Sequence, residues 1–308
     1  MTRWRDGVAV AAATMSITAV AVPVSTAQAA EPQILLVHGY GASSQGKDCN
    51  GSTWKNALAY YESAGGRARS SMTTVGYYEG DQPAEDHGAA SGCDVVIGDG
   101  EATNERAIQD IAKDLANYID DTYTSNGQSV DIIAHSMGGL VTRVALLGSA
   151  QGWDGFPSKL NVDNVVTLST PHQGVANPSA YDDRQWAQMD PDSGFMDRLH
   201  QSGSGLGDDW AQGTDWSLVG SHEDTTVRHD SGIDKGSFAD QKFGYQDDSG
   251  DSGNVDHTGV RTLYGENRYN LQFWHAAGDH PPHNTDNGWS PLKTAFQAAT
   301  KVGDGLPE

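Results

Sequence analysis

The chain is short of cysteine, of basic residues and of long apolar runs. Two cysteines in 308 residues, Cys49 and Cys93, are too few for a zinc cluster or a disulfide-dense scaffold, and neither is placed as a nucleophile. Lysine and arginine number 19 against 41 aspartates and glutamates, a formal net charge of −22. Such a surface repels phosphate backbones and anionic membranes, which argues against nucleic acid as a partner. After residue 22 no apolar stretch approaches the roughly 20 residues that a spanning helix needs, so no stable membrane insertion is expected. No internal repeat is apparent.

What is present begins with a leader. Arg3 and Arg5 give a positive start, Val8 to Val22 is apolar and rich in small residues, and Ala27-Gln28-Ala29 has the A-x-A form of a cleavage site. Residues 1–29 therefore read as a signal peptide and 30–308 as one α/β domain, secreted to an extracellular setting and monomeric. An even cysteine count in an exported chain makes a Cys49 to Cys93 disulfide the default, with two free thiols as the alternative.

Five short apolar runs read as strands: Gln33 to Val37, Thr73 to Tyr78, Val130 to Ala134, Asn164 to Leu168 and Trp216 to Val219. Between them, Trp54 to Ala64 looks helical. Asn104 to Tyr123 carries an apolar stripe of Ile108, Ile111, Leu115, Tyr118 and Ile119 at helical spacing, and Pro291 to Lys301 closes the chain as a helix. Alternating strands and helices predict a mainly parallel sheet covered on both faces. The segment from about 175 to 214 turns polar and reads as an insertion over the sheet edge.

The run Val130-Asp131-Ile132-Ile133-Ala134-His135-Ser136-Met137-Gly138-Gly139-Leu140-Val141 passes from a buried strand through a turn of small residues into an apolar helix. A serine on a strand-to-helix turn with small residues two before and two after is the nucleophile elbow G-x-S-x-G, here with Ala134 for the first glycine. A serine loop that merely ends a strand is the bland alternative.

A serine hydroxyl needs a base, and the base needs a carboxylate to hold its tautomer. In elbow folds these follow in the order serine, acid, histidine, each on a loop after a strand. Asp224 meets the condition for the acid, with its neighbour Glu223 as rival. Five histidines follow it: His229, His257, His275, His280 and His283. His257 is favoured because Thr258 and Gly259 let the chain turn under its ring. His275, His280 and His283 with Asp279 and Asp286 suggest a metal site, but their spacing fits no standard zinc motif, so no metal is expected. His135 and His172 fall out of order for the base and are expected to be supporting groups. The oxyanion donors are expected to be the backbone amides of Tyr40, after the first strand, and Met137, after the nucleophile. The acidic stretch Asp247 to Asp256 has its glycines at the wrong places for an EF-hand calcium loop.

Val37-His38-Gly39-Tyr40-Gly41, Ala134-His135-Ser136-Met137-Gly138-Gly139, Thr170-Pro171-His172-Gln173-Gly174, Gly220-Ser221-His222-Glu223-Asp224 with Val227, and His257-Thr258-Gly259 together resemble the secreted bacterial lipases and esterases of the minimal α/β-hydrolase type, the small Bacillus lipases and their longer actinobacterial relatives. The first three motifs are specific; the Asp224 and His257 matches are looser. The resemblance implies an α/β-hydrolase fold lacking the first two strands, hydrolysis of acyl esters or lipids through an acyl-enzyme, no cofactor, and Ser136, Asp224 and His257 in the triad. An acyltransferase, a polyester depolymerase or a catalytically silent binding protein on the same scaffold are the alternatives. The chain is much longer than the smallest members, chiefly in 175–214 and after Val260. Met189, Phe195, Met196, Leu199, Leu206 and Trp210 there are candidates for a pocket lining or for ordinary core.

Overall fold

The computed structural model describes Met1 and residues 31–41, 46–246, 254–265, 268–275 and 282–300. The expected leader, most of the acidic stretch and His280 with Asp279 lie outside the described residues.

Nine strands form one sheet: β1 (Gln33–Val37), β2 (Met72–Gly76), β3 (Val95–Val96), β4 (Val130–His135), β5 (Val162–Leu168), β6 (Asp215–Ser221), β7 (Gln241–Tyr245), β8 (Tyr269–His275) and β9 (His283–Gly288), in the spatial order β3-β2-β1-β4-β5-β6-β7-β8-β9. All pairings through β7 are parallel; β8 and β9 join antiparallel. The crossovers are α1 (Lys55–Ser63), α2 (Ile108–Thr122) and α3 (Met137–Ala150), the insertion carries α4 (Arg184–Gln188) and α5 (Gly194–His200), α6 (His229–Gly232) follows β6, and α7 (Pro291–Thr300) ends the described chain. This is the α/β-hydrolase architecture. The two antiparallel strands that open the full-length fold have no counterpart among the described residues, and β3 takes the edge beside β2.

The sheet is apolar on both faces because both are covered. Alternate residues of β1 separate the two cores. Leu35 and Val37 join Ile132, Ala134 and Val165 against α2 and α3, while Ile34 and Leu36 join Ile133 and Val166 against α1 and α7. The expected stripe of α2 is the buried face, with Ile108, Ile111, Leu115 and Ile119 all inaccessible. The helix starts four residues later than its pattern suggests, at Ile108, whose amide is taken by the Gln188 side chain of α4.

In the insertion, Met189, Phe195, Met196, Leu199 and Leu206 join the α2–α3 core, with Trp210 packed against it. Met189, Met196 and Leu199 are buried core, while Phe195, Leu206 and Trp210 also edge surface clefts. Cys49 and Cys93 form a disulfide, closing a loop whose chain-entropy contribution is at most about 4 kcal/mol.

Candidate active site

The parallel strands all point their carboxyl ends at one edge, where ligands bind in open α/β sheets. Ser136 follows β4 at that edge with φ 55° and ψ −131°, a left-handed conformation that L-residues avoid. The turn persists because its neighbours leave no other room. A Cβ on Gly138 would lie 2.3 Å from the His38 carbonyl oxygen, one on Gly139 2.0 Å from Thr170 Oγ1, and one on Gly39 2.6 Å from Ser136 Cβ. The small residues are thus demanded by the end of β1 and by Thr170, not only by the closeness of strand and helix. Ala134 sits within β4, fully buried, and its methyl is accommodated.

His257 Nε2 lies 3.0 Å from Ser136 Oγ. Its other ring nitrogen, Nδ1, lies 2.7 Å from Asp224 Oδ2, a carboxylate whose side chain is fully buried while the imidazole stays partly exposed. The second Asp224 oxygen accepts the amides of Thr226 at 2.8 Å and Val227 at 2.9 Å. Because a carboxylate only accepts, it imposes Nδ1–H on His257 and leaves Nε2 to accept from the serine hydroxyl.

Glu223, the rival acid, points elsewhere: its Oε2 accepts the Val255 amide at 2.7 Å and so braces the loop that carries His257. His135 is buried and lies 2.7 Å through Nε2 from the His257 carbonyl oxygen, its ring tilted against the His257 ring. Burial, then the charge of His257, holds its pKa well below the ordinary histidine value, so it stays neutral and donates to that carbonyl. His172 is wholly buried between Arg143 and Thr167, with burial lowering its pKa to about 3. His135 thus braces the backbone of His257, while His172 joins Arg143 and Thr167. His229 stacks on His222, and His275 and His283 lie on the β8–β9 edge with ring centres 6.2 Å apart. Among the described residues no group of three or more His, Cys, Asp or Glu is arranged to hold a metal ion.

Of the two expected oxyanion donors, Met137 is the first residue of α3, where an amide has no partner within its helix. Tyr40 follows Gly39, the residue packed against Ser136. Its side chain reaches away into the insertion, where the hydroxyl donates to Asp183 and accepts from Asn104 Nδ2 at 2.9 Å; its ring packs on Tyr181 and Trp186. Burial, then Asp183, pushes the Tyr40 phenol pKa well up. Nothing in the spacing of the sequence foretells Glu223 or Asp183 in these bracing positions, because each acts across an irregular loop.

The profile of one protein family, the PGAP1-like alpha/beta domain, matches residues 90–190, from the loop before β3 through the elbow to the end of α4. No curated protein matches the chain. Among solved structures, the chain is similar to a Bacillus licheniformis lipase in its mature form, at 19% identity over 65% of this chain and 70% of that one, with a TM-score of 0.40. It is also similar to Aspergillus fumigatus lipase B, at 15% identity over 75% of this chain and 49% of that one, TM-score 0.45. A phospholipase from Legionella pneumophila is 15% identical over 61% of this chain and 37% of its own, TM-score 0.42. This chain thus spans about half or less of the last two proteins. None of these likenesses carries the functional argument, which stands on the geometry of Ser136, His257 and Asp224.

Proposed function

We propose that the protein is a secreted serine carboxylic-ester hydrolase acting on acyl esters through an acyl-enzyme. The observation that supports this most strongly is the continuous hydrogen-bonded line from Ser136 through His257 to buried Asp224, at 3.0 Å and 2.7 Å, with the serine held on a strained elbow. In this reaction His257 takes the Ser136 proton as Oγ attacks the ester carbonyl, and Asp224 stabilises the imidazolium that forms. The amides of Tyr40 and Met137 receive the oxyanion, each donor commonly worth about 10²–10³-fold in rate. His257 returns the proton to the departing alcohol, and water, activated by the same base, releases the acid. The chain supplies each of these groups itself. The leader read in residues 1–29 and the disulfide fit export to an oxidising compartment, and among the described residues no helix is long and apolar enough to cross a membrane.

The deciding experiment compares initial rates on p-nitrophenyl butyrate and p-nitrophenyl palmitate for the mature protein and Ser136→Ala. Turnover of butyrate that falls at least about 10³-fold in the variant is expected. Equal turnover by the variant, or none by the parent on any ester, would remove the assignment.

A further inference from the structure

The loop after β1 is built around a buried pair. His38 Nε2 lies 2.8 Å from Asp81 Oδ2, with both side chains inaccessible. His38 Nδ1 lies 2.8 Å from the Gly39 carbonyl oxygen. A carboxylate and a carbonyl only accept, so the ring nitrogens face an acceptor on each side. The Tyr77 ring stacks on the imidazole with centres 4.2 Å apart and fixes its plane. Asp81 also takes the amides of Tyr77 at 2.7 Å, Tyr78 at 2.9 Å and Lys47 at 2.6 Å.

The Gly39 carbonyl and the Tyr40 N–H belong to one peptide unit. No cis peptide occurs among the described residues, so this unit is trans and planar and its N–H points away from its carbonyl. Whatever holds the Gly39 oxygen therefore aims the Tyr40 amide. The Tyr77 hydroxyl adds to the hold, sharing its one proton between the His38 oxygen at 2.8 Å and the Gly39 oxygen at 3.1 Å. Gly39 itself is pressed against the nucleophile.

We propose that His38, clamped by Asp81 and assisted by Tyr77, is a positioning residue that holds the Gly39–Tyr40 peptide with its N–H toward the oxyanion formed at Ser136. This role rests on the esterase function proposed above. Without the clamp the peptide is free to flip, and a flip replaces a donor to the oxyanion with a carbonyl that repels it. The effect belongs to the transition state, so it lowers kcat and leaves KM in place.

The test compares His38→Ala, His38→Asn and Tyr77→Phe on p-nitrophenyl butyrate, with a thermal melt for each and the affinity of butylboronic acid as a mimic of the tetrahedral state. Asparagine keeps a donor where Nδ1 stood but loses the contact to Asp81. His38→Ala is expected to lower kcat about 100-fold with KM within about twofold, and boronate affinity to fall with kcat/KM. His38→Asn should melt as low as His38→Ala yet recover kcat to within about tenfold of the parent. Tyr77→Phe should fold and lose about threefold to tenfold. Where His38→Ala fails to fold, Tyr77→Phe with the boronate decides. An active, Ser136-dependent parent with Tyr77→Phe and His38→Ala within twofold of it in kcat would overturn this role alone, as would losses that follow the melting temperature and spare boronate affinity. A parent without Ser136-dependent turnover would overturn the esterase function and this role together.

Discussion

Asp224 and Glu223 are adjacent, equally acidic and on the same short loop, yet only Asp224 reaches His257. Asp224 Oδ2 holds His257 Nδ1 while Oδ1 holds two backbone amides, so each of its oxygens meets donors. In Asp224→Asn one of these atoms becomes a donor. Either the Thr226 and Val227 amides lose their acceptor, or His257 is driven to the tautomer with its proton on Nε2, facing the serine. The expected result is a fall in kcat of about 10⁴-fold with the fold retained. Glu223→Gln keeps an acceptor for the Val255 amide and should cost no more than about tenfold, read on the same p-nitrophenyl ester. The reverse ranking would exchange the two roles. The sequence narrowed the acid to two neighbours and could go no further, because in an irregular loop side-chain direction has no periodicity to read. His257 was singled out for a related local reason, the turn at Gly259, where a Cβ would lie 2.6 Å from the Asn254 carbonyl oxygen.

Among the elements, β4 carries a charge where its pattern is otherwise apolar. Asp131 is buried beside Asn164, whose Nδ2 donates to its Oδ1 at 2.7 Å, and burial raises its pKa to about 6 against the opposing effects of Asn164 and Arg67. A carboxyl whose folded pKa is raised stabilises the fold below its unfolded pKa, near 4, and loses that contribution as pH rises through 6. Asp131→Asn carries no such penalty. Its stability relative to the parent should rise between pH 4 and pH 7.5 by about 2–3 kcal/mol, measured by urea unfolding at several pH values; a difference independent of pH would show that Asp131 ionises freely. Strands with continuous apolar runs, β1, β2, β4, β5 and β6, are legible without the structure, as are the faces of α2 and α3. The rest of the sheet is not. β3 has two residues, and β7 buries Lys242, whose Nζ is satisfied by the carbonyls of Asp234 and Ser237 in a way no propensity reveals. β9 is a polar, exposed edge strand, held by its pairing with β8 rather than by its own residues. Five of the seven parallel strands are therefore legible in the sequence, while β3, β7 and the antiparallel extension are not.

At the scale of the whole molecule, the surface of the described residues offers little to a lipid interface. Apart from Met1, the exposed large apolar side chains among the described residues are Tyr181, Phe238 and Tyr264, and they are dispersed: Tyr181 against Tyr40 and Trp186, Tyr264 against Tyr60, Phe238 over Gly207. Of the segments outside the described residues, 42–45, 247–253, 266–267 and 276–281 contain no large apolar residue, whereas 2–30 hold an apolar run and 301–308 hold Val302 and Leu306. Isolated exposed apolar groups are ordinary; binding to a lipid surface calls for a contiguous patch, and a net charge of −22 adds repulsion from anionic lipid. For the proposed esterase, esters in solution rather than aggregated ones are the expected substrates. With tributyrin the rate should saturate with concentration and pass through the solubility limit without a jump, and vesicles containing anionic lipid should neither retain the protein nor speed it. A sharp rise at the solubility limit would overturn this. It would require the insertion to lift from α2 and α3 and bring Phe195, Met196 and Leu199, now core residues, to the interface. Such a movement would also separate Asp183 from the Tyr40 hydroxyl, tying exposure of apolar surface to release of Tyr40, whose amide is proposed to meet the oxyanion.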